Sequence, residues 1–497
     1  MDELIPLEAS SLPRMPQGVR VPRYDRAALS PGIVHIGLGN FHRAHQAWYL
    51  HRLMDMGLAL DWAIVGAGVR PPDAAQRERL IGQDCLTTLI ELDPAGSSAE
   101  IVASMIDFAP VQPDNGPLIA WMSDPAIRIV ALTVTEGGYY TRPDGGFDAA
   151  HADIRHDVAN PQTPRTAFGA MIAALRRRRD AGAGPFTALS CDNLQANGAV
   201  LRQAVVSLAR LSDPDLAEWV EANCTFPNSM VDCIVPATGP TERALVREAF
   251  GIDDDAPVTH ENFRQWVIED DFCAGRPDWD RVGATFSDRV HDYELMKLRI
   301  LNGGHQLLAN AGEILSVETI AGCMAHPAIH AFFGAVQRDE IAPQVRPVPG
   351  MMPSAYVDLI ARRFSNPKIV DTTRRVAFDG SARHVGFLHP VLRERLAVGA
   401  PIDGLALAEA LWARMCLGER EDGSAIAPND PRWDALRKAA RAARADPGAW
   451  IAQADVYGDL GEDARFAETF AHWFGRIVSD GTTAALRAYA SRAPQPA

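Results

Sequence analysis

The segment YELMKLRILNGGH (residues 293–305) combines an amine, an amide and an imidazole at helical spacing. At about 100° per residue, Lys297, Asn302 and His305 lie at roughly 0°, 140° and 80° around a helix, so one side of a helix can present all three. The two adjacent glycines weaken a helix by about 1 kcal/mol each relative to alanine, which indicates that another backbone or a ligand passes close to them. The segment is therefore a candidate site for acid–base chemistry on a hydroxyl group.

Each of these residues also has a purely structural explanation. Lys297 can be a solvated helix lysine, Asn302 a cap and His305 a core histidine with satisfied hydrogen bonds. Glu294 lies one helical turn before Lys297, where it can tune the lysine or carry its proton outward. The same spacing also suits a surface contact, so both interpretations of Glu294 stay open.

A second candidate site follows the apolar run 33–37 (IVHIG), which predicts a buried strand. A glycine at 37 permits a sharp turn, and a glycine at 39 lets backbone N–H groups approach a pyrophosphate at the start of a helix. His42 stands where the third glycine of a GxGxxG motif is usual. Arg43 can contact a phosphate directly or be an ordinary arginine on the helix surface. The predicted cofactor-binding residues here are Ile36, Gly37, Leu38, Gly39, Asn40, Phe41 and Arg43.

Asp73 is the candidate for binding the adenosine ribose, because a carboxylate commonly follows the second strand of such a fold. It lies further along the chain than the usual ~20 residues, so the first crossover must be longer than average. A charge facing the ribose 2′-hydroxyl repels the extra phosphate of NADP, and the predicted cofactor is therefore NAD. In a second interpretation, compatible with the first, Asp73 caps the next helix and Gln76 completes a capping box.

Composition narrows the class of protein. The chain has 497 residues, 47% of them hydrophobic and 22% charged, and a net charge of −15 that repels a nucleic-acid backbone. The first ten residues lack the basic start of a signal peptide, and no apolar run approaches the ~20 residues of a membrane helix. The seven cysteines are scattered and form no cluster at metal-ligand spacing. We expect a cytoplasmic protein, a monomer, with no metal site, no membrane association and no nucleic-acid partner.

The order of elements predicts two domains. Strand-like runs alternate with helical segments in the first half, and long helical patterns dominate beyond about residue 285. We therefore expect an α/β fold, with an NAD-binding Rossmann-like domain over residues 1–286. A mostly α-helical substrate and catalytic domain is expected over residues 287–497. Predicted strands lie at 33–37, 62–65, 86–92, 100–103, 127–135 and 186–191, and predicted helices at 43–56, 166–180, 292–315, 405–418 and 431–445.

Eight segments occur in an order and at spacings that resemble the polyol-specific long-chain dehydrogenase/reductase family. They are GLGNFHRAHQAWY, TVTEGGYY, SCDNLQANG, MVDCIVP, EDDF, GRPDW, MKLRILNGGHQ and DTTRRVAFDGS, and together they extend over nearly the whole chain. The resemblance implies a zinc-independent, NAD-linked enzyme that interconverts a polyol and a ketose, with D-mannitol and D-fructose as the leading pair.

By the same resemblance, Lys297 is the general acid/base, and Asn193 and Asn302 are the amides that hold the reacting oxygen. His305 orients the substrate. The resemblance further implies that Asp232, Arg375 and Arg383 contact the sugar chain; Arg383 and Val385 stand where the family commonly has lysine and proline. A neutral amine can take the hydroxyl proton if its pKa falls from about 10.4 toward neutrality. Two amide donors stabilise the developing alkoxide, so the chemistry needs no metal.

Three alternatives remain. A fructuronate or tagaturonate reductase needs cationic partners for a sugar carboxylate, which Arg375 and Arg383 can supply. D-arabinitol or D-sorbitol oxidation is a second, since motifs do not report stereochemistry away from the reacting carbon. A protein that only binds NAD is the third, because a fold does not imply a function.

Overall fold

A computed structural model describes residues 4–142 and 144–492 of the chain. The chain divides into two compact units, of which unit 1 ends at His291 and unit 2 begins at Asp292. The sequence predicts this division after residue 286. None of the described helices is both long and apolar enough to cross a membrane.

The strands of the described chain all lie in unit 1. They are β1 (Ile5–Pro6), β2 (Pro31–Ile36), β3 (Ala63–Ala67), β4 (Thr87–Asp93), β5 (Gly96–Val102), β6 (Met105–Phe108), β7 (Ile129–Leu132), β8 (Thr187–Ser190), β9 (Ser229–Asp232), β10 (Ile252–Asp253), β11 (Val258–Glu261), β12 (Gln265–Ile268) and β13 (Thr285–Phe286). The helices of this unit are α1 (Asn40–Ala44), α2 (Gln46–Met54), α3 (Asp73–Ile81), α4 (Gly116–Ser123), α5 (Ala152–Ala159), α6 (Ala167–Ala181), α7 (Asn197–Ser212), α8 (Pro214–Asn223) and α9 (Pro240–Phe250).

The main sheet of unit 1 has the strand order β6-β3-β2-β7-β8, and every neighbouring pair in it is parallel. Its central strands are apolar on both faces because helices cover both sides, as a parallel sheet requires. The strand order reverses direction between β2 and β7, and ligands of such sheets bind beyond the carboxyl ends of the strands at that point. The predicted α/β class with a Rossmann-like first domain is confirmed.

Two expectations for unit 1 are wrong in detail. The runs 86–92 and 100–103 form the antiparallel pair β4–β5, which belongs to a separate sheet with β11 and not to the parallel sheet. The single helix expected over 43–56 is two helices, because α1 ends at Ala44 and the backbone breaks at His45 before α2 begins.

Unit 2 is helical. After α10 (Val290–Met296), which crosses the boundary, come α11 (Gly303–Ile314), α12 (Ile320–Ala325), α13 (Pro327–Val336), α14 (Pro353–Phe364), α15 (Thr373–Val376), α16 (Gly380–Phe387), α17 (His389–Ala397), α18 (Asp403–Met415), α19 (Trp433–Ala443), α20 (Gly448–Ile451), α21 (Ala464–Asp480) and α22 (Thr482–Ala490). Two short π-helical segments, Lys297–Asn302 and Gln337–Ile341, interrupt the α-helical pattern. The expected mostly helical second domain is confirmed.

Candidate active site

The turn after β2 has the geometry expected of a dinucleotide-binding loop. Gly37 has a φ of +89°, and a Cβ there would lie 2.1 Å from the carbonyl oxygen of Thr133, so only glycine fits. Ile36 and Leu38 on either side are buried in the core. At Gly39 a Cβ would meet no atom within 4 Å, so the backbone beside this glycine faces open space. The two glycines therefore have different roles. Gly37 permits the backbone conformation of the turn, and Gly39 leaves space for a ligand to approach the backbone.

Asn40, Phe41 and Arg43 follow on α1. The Asn40 amide donates to the Pro236 carbonyl (3.0 Å) and to the Thr238 hydroxyl (2.9 Å), and its oxygen accepts from Arg43 (2.7 Å). Phe41 stacks on the ring of His45 at 4.8 Å between ring centroids.

Arg43 is only 3% exposed, so the interpretation as a surface-helix arginine is wrong. Besides Asn40, its guanidinium donates to the carbonyls of Gly39 and Ala256. Burial lowers its pKa from 12.5 to about 10. Arg43 therefore ties α1 to the segment before β11.

A cavity of about 620 Å³ borders Asn40 and Arg43. Gln76 and Arg79 from α3 and Arg243 from α9 also line it. Arg79 and Arg243 bring two guanidinium groups to this cavity besides the engaged Arg43, against the single carboxylate of Asp255, and this balance suits an anionic ligand such as a pyrophosphate. The residues of unit 1 thus fit a dinucleotide by backbone shape and by charge.

His42 replaces the usual third glycine, and its ring is buried under the turn. It stacks on His35 of β2 at 3.5 Å between ring centroids. Burial lowers the pKa of His35 to about 3 and that of His42 well below its usual value, so both rings are neutral at neutral pH. His35 is also held by Gln46 (2.7 Å) and Thr133 (3.0 Å). Two stacked neutral rings here take the place of the close helix–strand contact that glycine allows elsewhere.

Asp73 lies in the first turn of α3, just beyond the carboxyl end of β3. Its carboxylate accepts the backbone N–H of Arg70 (3.0 Å), and its side chain covers Gly68, where a Cβ would be 2.3 Å away. The helix cap is Pro72 and makes no side-chain capping bond, so the proposed capping box is wrong. The carboxylate is therefore held at the end of a central strand, where a ribose-binding acid is expected.

Asn193 follows the end of β8 in the parallel sheet, and Asp232 ends β9 in the separate sheet of β13, β12 and β9. Asn193 comes three residues after the end of β8 and is exposed, whereas Asp232 is the last residue of β9 and is 5% exposed. The turn that carries Asn193 is fixed by the preceding Asp192, which sequence analysis left without a role. Asp192 accepts the N–H groups of Val134 (3.0 Å) and Thr135 (2.9 Å) and the Tyr139 hydroxyl (2.7 Å).

In unit 2, Lys297 and Asn302 are the first and last residues of a π turn. The Gly303 N–H donates to the Leu298 carbonyl five residues earlier, which is the hydrogen-bond pattern of a π-helix, and also to the Ile300 carbonyl. The expectation of a continuous α-helix here is wrong. Because a π turn brings residues five apart onto the same side, the amine and the amide are closer in direction than an α-helical wheel predicts. Lys297 is 8% exposed.

Glu294 lies in the last turn of α10 before Lys297 and is 5% exposed. A surface contact is therefore the wrong interpretation of this residue. A buried carboxylate one turn from a buried amine leaves tuning of the lysine or proton transfer as its open roles.

The paired glycines after the π turn lie against side chains and not against the backbone of another segment, so the expectation of a second backbone close to them is wrong. A Cβ at Gly304 would lie 2.6 Å from Nε2 of Gln337 and 2.9 Å from the ring of Phe333. At Gly303 the nearest atom would be Cδ2 of Leu388, at 3.2 Å.

His305, on α11, stands next to a charged cluster that includes Arg375 and Arg383. Its ring stacks on Phe364 (4.3 Å between centroids), and its Nε2 lies 3.9 Å from Asp371. Burial, opposed by Asp371 and reinforced by neighbouring arginines, lowers the His305 pKa to about 4. The ring is therefore neutral at neutral pH and can both donate to and accept from a hydroxyl group.

The two arginines of this cluster are already engaged. Arg375 makes two hydrogen bonds to Asp371, at 2.7 and 2.6 Å, and Arg383 donates to the Val376 carbonyl at 2.7 Å. Asp371 was not singled out from the sequence, although it opens the quoted DTTRRVAFDGS segment four residues before Arg375. The structure brings His305, Arg375 and Arg383 together within unit 2.

One cluster of potential metal ligands occurs among residues 4–142 and 144–492. It consists of His51, Asp55 and Glu100 in unit 1, which sequence spacing does not reveal. The two carboxylates are paired with Arg20, Arg23 and Arg52. Three guanidinium groups already exceed the charge of the two acids, which disfavours a cation there.

Comparison with known proteins identifies the family. The mannitol dehydrogenase Rossmann domain model matches residues 31–281, and the mannitol dehydrogenase C-terminal domain model matches residues 289–478. Mannitol 2-dehydrogenase of Cereibacter sphaeroides is 54% identical over 475 residues, which cover 96% of this chain and 99% of the relative. Mannitol 2-dehydrogenase of Aspergillus terreus is 39% identical and covers 95% of each chain.

Solved structures agree. Pseudomonas fluorescens mannitol 2-dehydrogenase in a ternary complex with NAD and D-mannitol superposes with a TM-score of 0.86 at 37% identity, over 98% of this chain and 100% of that one. A substrate-free D-sorbitol dehydrogenase gives a TM-score of 0.91 at 34% identity, over 97% and 100%. The resemblance found in the sequence is confirmed, and the chain belongs to the mannitol dehydrogenase family.

Proposed function

We propose that this chain is an NAD-dependent oxidoreductase that interconverts D-mannitol and D-fructose. The observation that carries the proposal is the π turn that holds a buried lysine and an asparagine, Lys297 and Asn302, in a chain that matches mannitol 2-dehydrogenases along nearly its whole length. A neutral amine can remove a hydroxyl proton, and an amide N–H beside it can stabilise the resulting alkoxide.

The cofactor is held by residues of unit 1. The loop that binds the pyrophosphate is formed by Ile36, Gly37, Leu38, Gly39, Asn40 and Phe41. Arg43 stabilises this loop through its hydrogen bonds to Gly39 and Asn40. Asp73 binds the adenosine ribose, and its charge selects NAD over NADP because a 2′-phosphate would face a carboxylate. Bound NAD⁺ supplies the acceptor for the hydride that leaves the carbinol carbon.

Lys297 takes the hydroxyl proton during oxidation and returns it during ketose reduction. Burial favours the uncharged form of an amine, which is the form that accepts a proton. Asn193 and Asn302 donate N–H groups to the reacting oxygen, and Glu294 passes the proton between Lys297 and solvent. Oxidation therefore rises toward alkaline pH, whereas reduction is retained near neutral pH, where the amine keeps its proton.

His305, Asp232, Arg375 and Arg383 bind the hydroxyl groups along the substrate chain. The engagement of Arg375 by Asp371 favours a polyol over a sugar acid, because the arginine charge that a carboxylate needs is already neutralised. A neutral His305 likewise suits hydroxyl groups.

D-Sorbitol is a second candidate substrate. The D-sorbitol dehydrogenase structure superposes on this chain with a TM-score of 0.91. D-Mannitol and D-sorbitol are epimers at C2, and the C5 end of D-sorbitol has the configuration of the reacting end of D-mannitol, so the same lysine and amides can act on that end.

The test follows NADH absorbance with the wild-type enzyme in both directions: NADH formation from D-mannitol, D-sorbitol and D-arabinitol, and NADH consumption with D-fructose, fructuronate and tagaturonate. We expect the highest kcat/KM for D-mannitol and a lower value for D-sorbitol. A preference for fructuronate or tagaturonate, or tight NADH binding without turnover on any member of the panel, would refute the proposal. A preference for NADP over NAD would remove Asp73 from its role.

Metal removal is a second check of the mechanism. A lysine and two amides perform the proton transfer and charge stabilisation, so dialysis against a chelator is expected to leave kcat unchanged. Loss of activity that added Zn²⁺ restores would contradict the zinc-independent mechanism.

Location and assembly complete the proposal. All seven cysteines are free thiols, which fits the reducing cytoplasm. Each unit has its own buried core, and we therefore propose a monomer, to be checked by sedimentation.

A further inference from the structure

We propose that Gln337 is a positioning residue that holds the π turn Lys297–Asn302 in its active shape. The inference rests on the proposed function, since it takes Lys297 and Asn302 as the proton-transfer and alkoxide-binding groups. Gln337 itself touches neither substrate nor cofactor in this account. It acts through the backbone that carries the two groups.

The first observation is a hydrogen bond into the middle of the π turn. Nε2 of Gln337 donates to the carbonyl oxygen of Ile300 at 2.7 Å, and the Gln337 side chain is fully buried. The same carbonyl accepts the N–H of Gly303, which is shared between the Ile300 and Leu298 carbonyls where the pairing departs from the regular i→i+4 pattern. Gln337 therefore adds a second donor to this carbonyl, at a site that is closed to water.

The second observation is the absence of a side chain at residue 304. A Cβ on Gly304 would lie 2.6 Å from Nε2 of Gln337, closer than real contacts allow. The glycine therefore gives the Gln337 amide room to reach Ile300. The need for this space explains why residue 304 is glycine, although glycine lowers the stability of a helix relative to alanine.

The third observation is that Gln337 is anchored at its other end. It begins the second π turn, Gln337–Ile341, whose closing N–H from Ala342 returns to the Gln337 carbonyl. In the same turn, Glu340 accepts the backbone N–H groups of Gly404 (2.6 Å) and Leu405 (2.9 Å) at the start of α18.

Glu340 also accepts the hydroxyl of Tyr489 at 2.8 Å, so the second π turn is fixed to two other helices. The backbone of Gln337 thus belongs to a segment that is fixed by hydrogen bonds, and this segment positions the Gln337 amide against Ile300. Without this amide, the turn around Ile300 is free to adopt α-helical pairing. Asn302 would then rotate to about 140° from Lys297 on the helical wheel.

The test compares Gln337→Met with wild type and with Gln453→Met as a matched control. Met keeps the length of the side chain and removes the N–H donor. Gln453 also donates to a backbone carbonyl in unit 2, that of Trp450 at 2.9 Å, but has no bond to the π turn. Both variants therefore lose one side-chain bond to a backbone carbonyl, and only one loses it at the candidate site.

For Gln337→Met we expect kcat for D-mannitol oxidation to fall by ~10- to 100-fold, as misplacement of a reacting group does. The dissociation constant for NADH is expected to stay unchanged, and KM for D-mannitol to change by less than about threefold, because the cofactor contacts and the contacts along the sugar chain are intact and the lost Asn302 contact acts mainly in the transition state. The alkaline rise of kcat is expected to shift in pH, since the surroundings of Lys297 change. Gln453→Met is expected to keep the wild-type kcat and pH profile.

Amide hydrogen exchange provides a readout that needs no turnover. Exchange over residues 297–304 is expected to accelerate in Gln337→Met and to stay at the wild-type rate in Gln453→Met. Gln337→Leu also fills the site without a donor, and it is used where Gln337→Met does not fold.

A folded Gln337 variant with wild-type kcat, pH profile and exchange would overturn this inference while leaving the proposed function intact. Failure of wild type to oxidise any polyol would instead overturn the proposed function, and the exchange result alone would then decide whether Gln337 holds the turn.

Discussion

The two candidate sites are each built on a short irregular piece of backbone marked by a pair of glycines, but the glycines act differently. In unit 1, Gly37 is needed by its own backbone, which has a φ of +89°. In unit 2, Gly304 is needed by a neighbour, because the Gln337 amide occupies the space of its side chain. A local motif reports the first requirement, whereas the second depends on a residue that lies distant in the sequence.

The sharpest way to test this contrast is alanine at the two glycines of the first turn. Gly37→Ala is expected to be the most damaging change, because it adds left-handed strain of about 1–3 kcal/mol and a Cβ that clashes with the Thr133 carbonyl. Its free energy of unfolding, measured in urea, is expected to fall by more than the strain alone. Gly39→Ala, with no neighbour in range, is expected to keep wild-type stability and bind NADH more weakly. Equal stability of the two variants would contradict the claim that the fold requires glycine at residue 37 and not at residue 39.

A second pair applies the same logic to unit 2. Gly304→Ala is expected to lower the unfolding midpoint and kcat, because its Cβ displaces Gln337. Gly303→Ala has only Leu388 at 3.2 Å, and alanine gains up to about 1 kcal/mol over glycine in a helix. It is therefore expected to change stability by less than Gly304→Ala does. The reverse order would show that the Gln337 contact does not govern this pair.

Titration of buried groups provides a third distinction. His42 is buried neutral with a pKa well below its usual value, so its contribution to stability is present above pH 6.5 and is lost as pH falls below that value. The free energy of unfolding of wild type is expected to decline between pH 6.5 and pH 4. In His42→Phe, which keeps an aromatic ring against His35, that decline is expected to be smaller. An unchanged slope would show that His42 does not cause it.

The smallest effect on the pH dependence of stability is expected from Glu340 in unit 2, and its sign is opposite to that of His42. Burial raises the pKa of Glu340 to about 7, against hydrogen bonds that lower it. The folded state thus binds a proton more tightly than the unfolded state, and its contribution to stability is present below pH 4.5 and lost as pH rises through 7. Glu340→Gln does not titrate, so its unfolding midpoint is expected to vary less than that of wild type between pH 5 and 8. An identical pH dependence would contradict the raised pKa.

Much of unit 1 could be predicted because its central strands are short apolar runs. The strands β2, β3, β7 and β8 follow this pattern. The strands β4 and β5 each contain a shorter apolar stretch, but they pair antiparallel in another sheet, since an apolar stretch does not encode a partner. The strands β9 to β13 have only two to four residues each, too few for a periodic signal.

The candidate site divides in the same way. Residue types such as Lys297 and Asn193 could be recognised from motifs, because the chemistry depends on them directly. Two of their supports could not, because Asp192 and Gln337 act through hydrogen bonds to backbone that is distant in the sequence. Asp371 lies four residues before its partner Arg375, and that local spacing was a signal that could have identified it. The π turn follows from such supports, and so the α-helical wheel for residues 297–305 was wrong.

The most direct test of the central claim is single-turnover NADH formation from D-mannitol at saturating NAD, compared between wild type and Lys297→Ala. The account predicts that the variant binds NADH as tightly as wild type and forms NADH ~100-fold more slowly or worse, in line with removal of a general base. NADH formation at nearly the wild-type rate would contradict the assignment of Lys297 as the group that takes the hydroxyl proton.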